Sequence, residues 1–215
     1  MNPPMYLLDE YRIRSFKKNL PFDISNIVKA KLGVGDIVID LGANIGLATS
    51  IFQSKGSTVY AIEPNPYAFR KLERRFRKNL QVIPIQAAAV IDDTEFVPLF
   101  MHVASGSSPL KYSTGSSLME DKPNIDSSSF INVKGFNLIQ LIQSLGKIKI
   151  LKMDVEGYET KLIPAIINSG AILNIEYVFV ETHEEKWVTL AADTAYMKSL
   201  SLSSPHRKKF YFNWP

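Results

Sequence analysis

The chain has 215 residues, 46% hydrophobic and 21% charged, which suits one domain with a sizeable core spanning 1–215. Zero cysteines exclude disulfides, thiol catalysis and cysteine metal sites, and no stretch approaches the roughly 18–20 uncharged apolar residues of a membrane span. A net charge of +4 favours acidic partners, and the first twelve residues mix charge among apolar positions instead of forming a signal core, so the expectation is a soluble, cytoplasmic protein.

Residues 1–34 are expected to form an N-terminal helical segment whose Tyr6, Tyr11 and Phe16 either pack inward or offer faces for stacking. Residues 36–41 (DIVIDL) read as a buried strand and 45–54 as the helix after it; 58–62 (TVYAI) is a second strand, followed by a helix over 67–79. Asn65 stands as that helix's N-cap, and Pro66 takes the first helical position, where its missing N–H costs nothing. Residues 81–86 (QVIPIQ) form a third strand. Two short strands, 95–103 and 130–133, are expected to pair with each other around a serine- and glycine-rich stretch, 104–129, too long for an ordinary connector and suited to a surface loop or a lid. A helix over 138–145, a strand over 147–153, a helix over 159–168, a strand over 177–181 and a helix over 186–200 follow. The chain closes on KKFYFNW, 208–214, expected as an antiparallel edge strand. Strands alternating with helices predict an α/β fold, a mostly parallel central sheet with helices on both faces.

In such sheets ligands bind beyond the carboxyl ends of the strands, where strand order reverses beside the first strand. There the sequence reads VIDLGANIG: Gly42 and Gly46 permit a tight turn and close approach, and Ala43 keeps the surface shallow. A dinucleotide needs G-x-G-x-x-G around its pyrophosphate, but Asn44 replaces the middle glycine, so a pyrophosphate fits badly. S-adenosylmethionine has no phosphate. It needs a turn for its amino-acid end and an acceptor for its ribose diol, and Glu63 ends the second strand 23 residues after Asp40.

The segments VIDLGANIG, VYAIEPNP, QAAAVID, ILKMDVEGYE and VFVETHE, in this order over about 35–184, resemble the successive motifs of FkbM-type S-adenosylmethionine-dependent methyltransferases. The resemblance implies a class I, Rossmann-like fold and O-methylation of a hydroxyl, often on a sugar or natural product. By it, Asp40, Gly42, Ala43, Asn44 and Gly46 cradle the methionine end, Glu63 with the adjoining Pro64 takes the ribose side, and Gln86, Ala87 and Ala88 meet the adenine edge. Many class I enzymes place an acid near that last position; here there is none, which leaves the adenine amine to a backbone carbonyl.

Methyl transfer from a sulfonium needs alignment, exclusion of water, and removal of the acceptor's proton. Asp154 and Glu156 follow the fourth strand, and Glu181, His183 and Glu184 end the fifth, on the same rim as the glycine turn. Asp154, Glu156 and His183 are the catalytic candidates, with Asp154 also within reach of the cofactor; extended backbone would set like-facing groups two residues apart. His183 reads equally as a base titrating near neutrality and as an orienting histidine. Glu156 reads as base, as sugar ligand, or as a partner for Lys152 or Lys161. Asp154, Glu181 and His183 suit Mg²⁺ or Mn²⁺ in type, but no metal site is assigned without proof that they converge. Ser107, Ser116 and Ser117 are candidates for supplying hydroxyls to a sugar or glycan acceptor.

The run FRKLERRFRK, 69–78, places Phe69, Leu72 and Phe76 at helical spacing and its cations opposite, which reads first as a solvated face. It also sustains the rival readings, a methyltransferase-fold binding module or a nucleic-acid methyltransferase; nucleic acid is the less favoured partner because no aromatic platform accompanies the charge. The oligomeric state is left open by the sequence.

Overall fold

A computed structural model describes residues 5–185 and 187–215, with side chains from residue 10 onward. In chain order the elements are α1 (Met5–Asn19), α2 (Phe22–Ala30), β1 (Ile37–Leu41), α3 (Leu47–Gln53), β2 (Thr58–Ile62), α4 (Pro66–Phe76) and β3 (Val82–Ile85). Then come β4 (Ala88–Val90), β5 (Phe96–His102), β6 (Ile125–Asn137), α5 (Leu138–Leu145), β7 (Ile148–Met153), α6 (Glu159–Asn168), β8 (Ile175–Val180), α7 (Ala191–Ser203) and β9 (Phe210–Tyr211).

Six strands form one sheet in the order β3-β2-β1-β7-β8-β9, every neighbouring pair parallel. The chain moves outward from β1 to β3, then returns beside β1 as β7, so the order reverses between β1 and β7 and opens a crevice at their carboxyl ends. Apolar side chains fill both faces. Phe52, Leu72 and Phe76 of α3 and α4 join Ile24 and Val28 of α2 on one; Leu138 and Ile142 of α5, Leu162 and Ile163 of α6 and Met197 of α7 cover the other. Asn65 caps α4 as expected, accepting from the N–H groups of Tyr67 and Ala68.

The C-terminal strand corrects one expectation: β9 runs parallel to β8, with Val178 opposite Phe210 and Phe179 opposite Tyr211. An antiparallel neighbour needs only a hairpin, whereas α7 carries the chain back along the sheet so that β9 enters in β8's direction. Its aromatic tail packs inward, Trp214 lying 5.8 Å from both Phe16 and Phe179, ring centroid to centroid. Lys186, where the last helix was expected to begin, lies outside the described residues.

β5 and β6 pair antiparallel, as the sequence suggested, and join β4 in a second sheet of order β4-β6-β5. β6 already begins at Ile125, which shortens the serine-rich connection to 103–124 and folds it around a 3₁₀ turn at Ser113–Gly115.

Candidate active site

The turn after β1 is fixed from below. Lys152 of β7 is buried; its Nζ lies 3.2 Å from Asp40 Oδ1 and donates to the carbonyls of Leu41 (3.1 Å) and Gly42 (2.8 Å). Burial would lower this lysine's pKa, but the charges of Asp40 and Asp154 outweigh it and hold the ammonium ionised. Asp40 also accepts from Thr49 Oγ1 at 2.6 Å. It therefore supports the turn from inside the sheet and does not line the crevice.

Gly42, at φ +69°, meets the end of β7 so closely that a Cβ there would stand 1.8 Å from the carbonyl oxygen of Asp154. Asn44 adopts φ 48°, a left-handed conformation that asparagine tolerates better than most residues, and this aims its N–H at Glu63 Oε2, 2.8 Å away. The N–H of Asn65 reaches Glu63 Oε1, also at 2.8 Å. Burial raises Glu63 to about 7 despite these two N–H groups. Each carboxylate oxygen has two lone pairs and spends one on backbone, leaving a pair of acceptors spaced for a vicinal diol.

The resulting cleft is lined by Gly42, Asn44, Glu63, Pro64, Ala87, Ala88 and Asp154, together with Ala89, Val155, Glu156 and Tyr158. Of the other expected cofactor contacts, Ala43 is buried in the core, Gly46 is a packing glycine whose Cβ would strike Phe76 and Leu72, and Gln86 is exposed outside the cleft. Across the opening lie Ser113, Thr114, Ser116 and Ser117. They leave about 100 Å³ free, well under the roughly 300–1,000 Å³ of small-molecule sites. Ser116 Oγ accepts from Asn65 Nδ2 at 3.1 Å, and Ser117 Oγ donates to the carbonyl of Glu156 at 2.7 Å. These hydroxyls tie the segment down instead of facing an acceptor, and Ser107 is exposed, bonded to Ala104 O.

Beyond β7 and β8 the acids gather on one histidine. His183 Nε2 lies 3.3 Å from Glu156 Oε2, 3.7 Å from Glu181 Oε1 and 3.9 Å from Asp154 Oδ1, and its Nδ1 is 3.3 Å from Glu159 Oε1. The backbone reaches this convergence by turning, not by extended alternation: Glu156 sits at φ 57° and Gly157 at φ 105°. Burial would lower His183, yet the bond to Glu159 and the charges of Glu159, Glu156 and Asp154 push it up to about 9. Of the two sequence readings, base and orienting histidine, this raised pKa and the bond to Glu159 favour the second. Burial, then Asp154's charge, raises Glu181 to about 7. Glu156 pairs with Lys122 Nζ at 2.6 Å and not with Lys152 or Lys161, which bind Asp40 and Asp193. Asp154 does not cap α6, and Glu184 turns away to Lys198. Asp154, Glu156 and His183 each offer a ligand atom within 4.8 Å of one another.

The sequence reading passed over Glu159, which is fully buried and also accepts from the N–H of Gly157, and Lys122, which hangs from the serine-rich segment. An acid as the first residue of a helix reads as a dipole partner, and only the fold reveals its second contact.

A second cleft opens on this cluster, walled by Tyr112 stacked on His102 (centroids 4.9 Å apart) and by Trp187, with Lys122, Glu156, Glu181 and His183 at its floor. Of the N-terminal aromatics, Phe16 packs on Trp214 and Tyr11 is exposed, neither of them lining this cleft, and the side chain of Tyr6 lies outside the described residues. Glu156 and Thr114 border both clefts. Among the described residues no helix is long and apolar enough to cross a membrane.

Compared with known families, the chain matches the model for the methyltransferase FkbM domain over residues 40–200. No curated protein and no solved structure gives a significant match.

Proposed function

The chain belongs to the FkbM methyltransferase family, and from that premise we propose that it is an S-adenosylmethionine-dependent O-methyltransferase acting on a hydroxyl of a sugar or glycan. The observation that carries the cofactor assignment is Glu63: buried, held by two backbone N–H groups, and lining the cleft with acceptor capacity to spare. When bound, S-adenosylmethionine supplies a methyl group already activated on a sulfonium. Gly42 and Asn44 would accept its amino-acid end against the turn, Glu63 its ribose hydroxyls, and Ala87 to Ala89 its base. Segment 103–124 would act as a lid, since the cleft must widen to admit a nucleoside.

Support for a sugar comes from the second cleft, where Tyr112 and His102 lie beside carboxylates, an ammonium and a histidine, a mixed apolar and polar lining of the kind a pyranose uses. Glu181, raised to about 7, is the residue placed to take the hydroxyl proton; His183 orients it and Asp154 and Glu156 set the field. A divalent ion at Asp154, Glu156 and His183 would have to displace Lys122 from Glu156, so we assign no resident metal; retained turnover in excess EDTA is expected, and its loss with recovery on Mn²⁺ would reverse that assignment.

The test is calorimetry. S-adenosylmethionine or its demethylated thioether should bind wild type, NAD should not, and Glu63→Ala should weaken binding by about 10- to 100-fold, the loss of about 1.5–3 kcal/mol expected of bonds to a charged acceptor, with the fold retained. Equal affinity in the variant would remove Glu63 from the ribose. Binding of NAD alone would sink the assignment.

A further inference from the structure

A third cleft, of about 780 Å³, lies on the other side of the glycine turn and shares Asn44 and Thr114 with the cofactor cleft. Five cations from three elements converge on it: Arg12 of α1, Lys71, Arg74 and Arg75 of α4, and Lys111 of the crossing segment. Among the described residues the one acid on its wall is Glu10, which pairs with Arg14 along the same helix. Among the described residues Arg12, Lys71 and Arg74 have no carboxylate partner, and Lys111 rests over the ring of Tyr112, 5.0 Å from its centroid. A solvated helix face explains Arg77 and Lys78, which are exposed outside the cleft. It does not explain why α1 and the crossing segment add cations at the same opening.

We propose that this cleft binds a phosphate or diphosphate group carried by the methyl acceptor, so that the acceptor is an anionic sugar derivative whose charged end docks here. The inference rests on the methyltransferase reading for the acceptor's role, though not for anion binding itself. Guanidinium groups bind phosphate oxygens in a bidentate fashion, and ammonium groups add point charge. The carboxylate of S-adenosylmethionine, a single negative charge, would not balance Arg12, Lys71 and Arg74 together. Nucleic acid is less favoured, because the cations line one bounded hollow that, among the described residues, has Tyr112 beside it and no platform on which successive bases would stack.

Two measurements test this. Inorganic pyrophosphate should bind the wild-type protein at low ionic strength and weaken with added salt. The double variant Arg12→Glu, Arg74→Glu should bind it at least about tenfold more weakly, as expected when attractive charge pairs become repulsive. Both side chains are exposed, so the melting temperature and the affinity for S-adenosylmethionine should stay at wild-type values. No pyrophosphate binding, or equal binding by the variant, overturns the proposal even if the cofactor binds normally. A missing cofactor response beside intact pyrophosphate binding overturns the methyltransferase reading and, with it, the acceptor role given to the cleft.

In the second measurement, methyl-labelled cofactor is incubated with a panel of neutral glycosides, sugar phosphates, sugar nucleotides, and vesicles carrying a diphosphate-linked lipid sugar. Label should enter phosphate-bearing members, with KM raised and kcat retained in the double variant; the soluble and vesicle arms tell a nucleotide-linked source from a lipid-linked one. Label in neutral glycosides alone, or in an RNA oligonucleotide alone, overturns it.

Discussion

The two clefts that meet at Glu156 are built from different materials. The one beside β1 and β2 is made mostly of backbone and apolar side chains around the buried Glu63, its shape set by a glycine whose missing Cβ admits the end of β7. The one beyond β7 and β8 is made of long side chains drawn from positions 102 to 187, and its state is set by the balance among four carboxylates, a histidine and a lysine. Steric sites fail abruptly, because a hard contact has no intermediate setting. Electrostatic sites shift by degrees, because each charge is partly compensated by several others.

The harshest way to sharpen this contrast is Gly42→Ala. With the new Cβ 1.8 Å from a backbone oxygen and φ at +69°, β1 and β7 must separate, and a loss of at least about 3 kcal/mol in stability, with cofactor binding abolished, is expected in thermal and calorimetric titrations. A variant that melts and binds like wild type would show that the turn is pliable. On the electrostatic side, Glu181→Gln should lower turnover by about 10²- to 10⁴-fold, the usual worth of a general base, with the cofactor bound as before. Wild-type kcat/KM should climb with pH through about 7, where Glu181 ionises, and the variant should lose that limb; an unchanged profile would transfer the proton to another group.

A gentler probe is Glu159→Gln. His183 is raised from 6.5 to about 9, so the stability it contributes is present in full below pH 6.5 and is lost as pH rises through about 9. Wild-type melting temperature should therefore fall more steeply across that window than the variant's, and parallel curves would break the link. The smallest effect is expected from Ser117→Ala, which removes one bond between the crossing segment and Glu156 O, worth about 1 kcal/mol. Its readout is faster cofactor association in stopped flow with turnover little changed; a slower or equal rate would argue against a lid.

The candidate site was legible in proportion to how local its parts are. The glycine turn and Glu63 could be found because a strand, its turn and the acid ending the next strand are fixed by neighbours in sequence. Asp40 was legible from its place in the motif, but its partner, Lys152, lies on a strand more than a hundred residues later. Lys122 and Glu159 were missed because one sits in a stretch that advertises only polarity and the other in the ordinary first turn of a helix.

By itself the sequence determined the alternation of strands and helices, the hairpin of β5 and β6, and the turn chemistry at β1, since periodicity and φ preference act over a few residues. Tertiary structure alone decided that β9 runs parallel, that Ser116 and Ser117 bond to Asn65 and Glu156, and that His183 is ringed by four carboxylates. Each of those depends on which strand lies beside which and how much water is excluded between them. Charge and burial at a point are sums over everything packed around it, and no local pattern of residues contains that sum.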